Sequence, residues 1–283
     1  MNPFEDDEII DAGDSVDLQK CLDAGASGVA ISNEAYHALP GISGSGMKYM
    51  EVSQSHFDNR HLFNSGSDAL KLGTMLHCMV LEPDFVIDRF AVMPVVDLRT
   101  NAGKEEKEAF TLASADKEVV TADEYALYDK MAQNVLKMYS SFISAGKKER
   151  SFFAQYGDLV IKARPDVFLV NGYDCDLKSI STKGKSLNSR LVKQVIEDRG
   201  YHLAAALRRL VYEEIGLDPV PATFIFSDTS LGNMCIDFEL GERTMSYAKD
   251  KVISLLDERM EYLVKIRSGN RRRIIETYIE GEY

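Results

Sequence analysis

KARPDVFLVNGYDCDLKSIST, residues 162–182, is the stretch on which the reading of this chain turns. It holds two strand-like runs, Val167 to Val170 and Tyr173 to Ile180, joined by Asn171-Gly172. Asn-Gly between such runs signals a hairpin, because both central positions of a type I′ turn need positive φ. Side chains two apart on a strand share a face. Asp176 and Lys178 therefore project together, and the hairpin brings Asp166 towards them. Asp158 to Ala163 reads as a preceding strand.

Working outward, Ser186 to Gly216 reads as largely helical, with Gly200 as an interruption and Gly216 as a cap. Strands follow near Ala222–Ser227 and Met234–Leu240, then an amphipathic helix from about Arg243 to Ile266. Upstream, Ser67 to Leu81 places Leu70, Leu76, His77, Val80 and Leu81 on one broad helical face, and Pro83 limits its extension. Another helix fits Ala122 to Ala145. The polar run from Val95 to Val120 reads as an exposed loop or mobile helix. Ser45 reads as the N-cap of a helix through Met47 and Met50. Residues 1–28 are acidic and read as a loosely ordered arm, which leaves 29–283 as one folded domain. The element order predicts an α/β (α+β) fold, a mixed central sheet flanked by helices.

The 283 residues, 45% hydrophobic, suffice for a substantial core. No run of about 18 apolar residues offers a membrane span. The acidic N-terminus lacks the basic start of a secretory signal, so the expected location is cytoplasmic. Cys21, Cys78, Cys175 and Cys235 form no CxxC pair. They read as isolated thiols rather than a zinc site or disulfide framework. A net charge of −12 weighs against a broadly basic nucleic-acid surface. Part of it sits in the first 23 residues, and a local basic groove is compatible with an acidic total.

Asp166, Asp176 and Lys178 together suit phosphodiester hydrolysis. Hard oxygen ligands hold Mg²⁺ or Mn²⁺. The ion activates a water and offsets phosphate charge, and an adjacent lysine orients or deprotonates that water. The Leu177 carbonyl could add a ligand. The same residues also fit a solvated surface ladder with cross-strand ion pairs. His77 by itself reads as a core histidine hydrogen-bonded on an apolar helix face.

Three segments in order carry a wider resemblance: ISNEAYHALPGISGSGMKYMEVSQSHF from Ile31, GTMLHCMVLEP from Gly73, and KARPDVFLVNGYDCDLKSIST from Lys162. Together they resemble the nuclease domain of RecE-type exonucleases (exodeoxyribonuclease VIII), relatives of phage lambda exonuclease in the PD-(D/E)XK superfamily with its restriction-endonuclease-like core. The resemblance implies that His77, Asp166 and Asp176 bind metal and that Lys178 is the catalytic lysine. It implies a 5′-to-3′ exonuclease on double-stranded DNA ends with two Mg²⁺ ions, or Mn²⁺ in their place. It further implies a ring-shaped homo-oligomer (trimer or tetramer), a single-strand annealing partner, and a phage or prophage origin in a bacterial host. Ser45 and Arg164 are candidates for the DNA 5′-phosphate, and Tyr201, His202, Lys183 and Lys185 for DNA contacts. The chain departs from the family at Ala204 and Arg208, where a glutamine and a tyrosine are expected. Three rivals stand beside this reading. They are an endonuclease or repair nuclease with the same core, a catalytically weak DNA-end-binding scaffold, and a small-molecule metallohydrolase.

Overall fold

The computed structural model describes residues 16–63, 68–169, 173–218, 221–230 and 234–268. Its centre is a five-stranded mixed sheet. Across it run Cys235–Glu239, Ala222–Asp228, Asp174–Ile180, Val167–Phe168 and Lys147–Lys148. Asp174–Ile180 pairs parallel with Ala222–Asp228, and the other pairings are antiparallel. Parallel pairing needs a crossover, supplied here by the helices Ser189–Asp198 and Tyr201–Glu214. Gly200 lies between them at φ +67°, and Gly216 follows at φ +78°. Both are left-handed positions that glycine takes without a Cβ penalty. The hairpin strands Val167–Phe168 and Asp174–Ile180 pair as expected, while Asn171-Gly172 lies outside the described residues.

The sheet separates two cores. On one side Cys175, Leu177 and Ile225 pack with Met75, Leu76, Met131 and Val135 from the helices Asp68–Leu81 and Ala122–Ala145. On the other, Ile180, Phe224 and Phe226 pack with Leu203, Leu207 and Leu256. The last of these comes from the helix Glu242–Arg267. This is an α/β fold with a mixed sheet between helical layers, as the element order predicts. The Ala122–Ala145 helix opens on a reciprocal cap between Thr121 and Glu124, which satisfies free N–H donors of its first turn.

Several expectations are corrected. The segment read as a loose arm is folded from Leu18: it forms the helix Leu18–Asp23, Cys21 is buried beside Ile31 and Phe153, and Val29 bridges to Ser151. A short apolar set, Val16, Leu18, Cys21 and Leu22, is enough to dock it. Of the two readings of the polar run the helix is the one present, Asn101–Ala113, capped by Thr100. It is flanked by an unforeseen parallel pair, Phe90–Val92 with Glu118–Val120. A second sheet, Ile42–Ser43, Leu159–Ala163 and Phe152–Tyr156, contains a strand that was not anticipated. Phe152, Phe153 and Ala154 are all buried, so the strand lacks the alternation that marks a half-exposed one. Ser43, not Ser45, is the N-cap of the helix Gly44–Val52. Arg271-Arg272-Arg273, a basic run in the sequence, lies outside the described residues. Cys21, Cys78 and Cys175 are buried free thiols and Cys235 is half-buried. Among the described residues no helix is long and apolar enough to cross a membrane.

Two local contacts yield predictions. A Cβ on Gly44 would lie 2.8 Å from the Ala204 Cβ and 3.0 Å from its Cα. The helices Gly44–Val52 and Tyr201–Glu214 thus touch through their smallest residues. Gly44→Ala is expected to destabilise the protein by about 1–3 kcal/mol through overpacking, read from a shifted urea midpoint. The second contact is Lys162, whose buried ammonium donates to the Tyr36 and Leu39 carbonyls, both at 2.6 Å. Burial lowers its pKa from 10.5 to about 8, helped by the nearby Arg60 charge. Between those values the unfolded chain holds a proton that the folded protein has released, so stability rises with pH across that window. Below pH 8 the full cost of the buried charge is present. Relative to Lys162→Met, the wild type should gain at most about 3 kcal/mol between pH 8 and 10.5. A flat difference in unfolding free energy would contradict this.

Candidate active site

Alternation along Asp174–Ile180 turns Asp174, Asp176 and Lys178 towards the helix Tyr201–Glu214. Leu177 and Cys175 point into the opposite core. Asp166 precedes the short strand Val167–Phe168, and its Oδ2 accepts the Leu177 N–H at 2.6 Å. The Lys178 ammonium lies 3.8 Å from Asp166 Oδ2 and 3.6 Å from Asp176 Oδ1. The three hairpin residues therefore meet, and both carboxylates are buried rather than forming a solvated ladder. The two negative charges hold the Lys178 proton above the usual lysine range against the effect of burial, so in this state the side chain is a cation and donor, not a base.

His77 reaches the same point from the helix Asp68–Leu81. Its Nε2 lies 2.8 Å from the Leu177 carbonyl, and its Nδ1 is 3.5 Å from Asp166 Oδ1. A carbonyl only accepts, so Nε2 carries a proton and donates it to Leu177, which leaves Nδ1 facing the Asp166 carboxylate. The expected Leu177 ligand is thus engaged by the ring of His77. Glu149, which the sequence reading missed, joins this group. One ligand atom each from His77, Glu149 and Asp166 lies within 4.8 Å of the others. Carboxylate oxygens and an imidazole nitrogen brought this close together are ligands that a divalent cation takes. The donor set therefore fits a metal of the Mg²⁺ or Mn²⁺ class.

Glu149 stands in a left-handed conformation, φ +51°, unusual for a residue with a Cβ. Its N–H donates to the Asp166 carbonyl at 3.1 Å, which ties the two backbones together. Its Oε2 accepts from Arg164 Nε at 2.6 Å. Burial and then the Asp166 charge push its pKa up, with Arg164 opposing. Nothing in the Lys147-Lys-Glu-Arg150 run marks Glu149 in sequence. Only its place just before a buried strand hints at it.

Arg208, the residue standing where a tyrosine was expected, lies beneath this set. Its guanidinium grips Asp174 through Nε and Nη2 at 2.6 and 2.9 Å, and Asp176 Oδ2 through Nη1 at 2.5 Å. Tyr212 donates to Asp174 Oδ2 at 2.9 Å. Burial pushes Asp174 up to about 6 against the Arg208 charge. For Asp176 burial acts the same way, but Arg208 and Lys178 outweigh it and hold the carboxyl at about 2. Ala204, in the expected glutamine position, makes the close contact with Gly44 described above.

The anticipated DNA-contact residues are spread unevenly. Tyr201 stacks on Phe224 at 5.9 Å between ring centres, and the Lys178 ammonium lies 5.7 Å from its ring. Arg164 borders the cleft, but Glu149 and the Ser32 carbonyl engage its guanidinium. Lys183 lines the cleft at φ +52°. Ser45, His202 and Lys185 do not line it. Ser45 bonds Ser43 Oγ, and His202 Nδ1 lies 3.3 Å from the Ile196 carbonyl.

A cleft of about 2810 Å³ opens over the site, bordered by His77, Glu149, Leu177 and Lys178 among others. Small-molecule pockets hold roughly 300–1,000 Å³, so its scale is that of a polymer. Its walls carry ten Lys and Arg against eight Asp and Glu, whereas the whole chain has 33 against 45. The cleft walls are thus less acidic than the chain as a whole.

No curated protein sequence matches the chain. Its fold is similar to a crystal structure from Eubacterium rectale described as "Putative exonuclease". The TM-score is 0.53 at 11% identity, covering 89% of this chain and 97% of that one. A crystal structure of SSO0001 compares at a TM-score of 0.25 and 12% identity, covering 75% of this chain and 84% of that one, and carries no argument. Residues 41–272 match the family described as "PDDEXK-like domain of unknown function (DUF3799)". That span includes His77, Glu149, Asp166, Asp174, Asp176, Lys178 and Arg208, and the chain belongs to this PDDEXK-like family.

Proposed function

We propose that the chain is a Mg²⁺-dependent deoxyribonuclease that works 5′-to-3′ from the ends of double-stranded DNA and leaves 3′ single strands for recombination by annealing. The observation that carries the nuclease reading is the Lys178 ammonium between the Asp166 and Asp176 carboxylates, beside the His77–Glu149–Asp166 cluster. The end-dependence, polarity, annealing partner and ring-shaped assembly rest on the RecE-type resemblance.

His77, Glu149 and Asp166 are the residues that would hold the cation, with Asp176 facing them across Lys178. When bound, it would lower the pKa of a water and offset charge on the phosphate. The protein supplies the positioning. The Leu177 carbonyl fixes the His77 ring, the Leu177 N–H fixes Asp166, and Arg208 fixes Asp176. Lys178 donates N–H to a phosphate oxygen as charge builds there. Lys183 and the other cationic walls hold the strand. The cleft's scale disfavours a small-molecule metallohydrolase. An end-binding scaffold remains as a second reading, because the Ala204 methyl offers no polar group to position lysine or DNA.

The test is digestion of a linear, 5′-phosphorylated duplex in Mg²⁺ beside a covalently closed circle of the same sequence. The proposal predicts loss of the linear DNA and survival of the circle. Nicking or cutting of the circle would favour an endonuclease with the same core. Binding of ends without turnover would favour the scaffold.

A further inference from the structure

The carboxyl groups around the site are already matched in large part by cations of the chain. Four of them, Glu149, Asp166, Asp174 and Asp176, face Arg164, Lys178 and Arg208.

The individual atoms point the same way. Asp176 Oδ2 accepts from Arg208, and Asp176 Oδ1 faces the Lys178 ammonium. Asp166 Oδ2 accepts the Leu177 N–H and also faces Lys178. The gap between these two carboxylates, where a second ion would bridge them, therefore already holds an ammonium. One ligand atom each from Asp166, His77 and Glu149 lies within 4.8 Å of the others, which offers a place for one ion.

We propose that Arg208 is a positioning residue that restricts this site to a single divalent cation. By holding Asp176 Oδ2 it leaves that carboxylate one oxygen, which Lys178 balances. It thereby replaces the second ion of a two-metal arrangement with a fixed charge from the chain. This rests on the metal-dependent reading above but concerns the number of ions rather than the reaction.

The experiment measures Mn²⁺ bound per chain, by calorimetry and by the electron paramagnetic resonance signal of free Mn²⁺, without DNA. Wild type should bind one ion. The double variant Arg208→Met/Asp174→Asn removes the guanidinium together with the buried carboxylate it neutralises, and it keeps an oxygen for the Tyr212 hydroxyl. It frees Asp176 Oδ2, so its stoichiometry should rise from one to two, with spin coupling between neighbouring Mn²⁺ ions. Two ions on the wild type would overturn the role of Arg208 and leave the metal-dependent reading intact. No bound ion would overturn both. A folded double variant that still binds one ion would also overturn the restriction. If that variant does not fold, Arg208→Lys, which keeps a cation beside Asp174 but gives up the guanidinium contact to Asp176, takes its place: two ions are expected, and one ion would overturn the restriction.

Discussion

Lys178→Ala is expected to slow DNA hydrolysis by about 10²–10⁴-fold while leaving the fold in place. The ammonium is the mobile donor nearest both carboxylates, at 3.6 and 3.8 Å, and its side chain is 22% exposed, so it is accessible from the cleft. Its loss does not strand its neighbours. Asp176 keeps Arg208, and Asp166 keeps the Leu177 N–H. Thermal stability should change little, and duplex binding in Ca²⁺ should stay within a few-fold of wild type, because one of many cationic contacts is lost. Lys178→Arg should not rescue the rate, since a planar fork places its charge differently from a compact ammonium. A variant that hydrolyses within tenfold of wild type would remove Lys178 from the reaction.

Arg208→Met is expected to be the most damaging single change to stability, about 3–5 kcal/mol. The side chains of Arg208 and Asp174 are only 7% and 3% exposed. Removing the guanidinium therefore leaves Asp174 as a buried carboxylate held only by the Tyr212 hydroxyl. Adding Asp174→Asn removes that orphan charge and should recover most of the loss. A double-mutant cycle from urea unfolding measures the coupling directly. Additive single effects would mean that the guanidinium is not what keeps Asp174 ionised in the interior.

The parts of the fold legible in sequence are those where local chemistry and tertiary role agree. The DCDLK strand and the glycine breaks at Gly200 and Gly216 fall where turn chemistry places them. The helices Ala122–Ala145 and Glu242–Arg267 fall where helical periodicity places them. The Phe152–Tyr156 strand was missed because burial of three consecutive residues erases the period-two signal. Folding of the segment from Leu18 was missed because a few apolar residues dock it against a distant strand.

The site divides along the same line. Asp166, Asp176 and Lys178 share a hairpin, so their meeting follows from strand geometry. His77 could equally have been a core residue. Its convergence on Leu177 depends on how the helix packs across the sheet, which sequence spacing does not encode. Glu149 lies 17 residues before Asp166 in sequence, and a left-handed turn at the edge of the sheet brings it in. Arg208 was noticed only as a departure. Its pairing with Asp174 and Asp176 emerges once the helix Tyr201–Glu214 is laid against the strand.

The most direct test of the central claim is release of acid-soluble nucleotides from a linear duplex by the wild-type chain in Mg²⁺. The same reaction is then run with EDTA, and again after Mn²⁺ is restored. The account predicts degradation in Mg²⁺, arrest on chelation and recovery with Mn²⁺. Intact DNA in both metals, from protein shown to be folded, would contradict it.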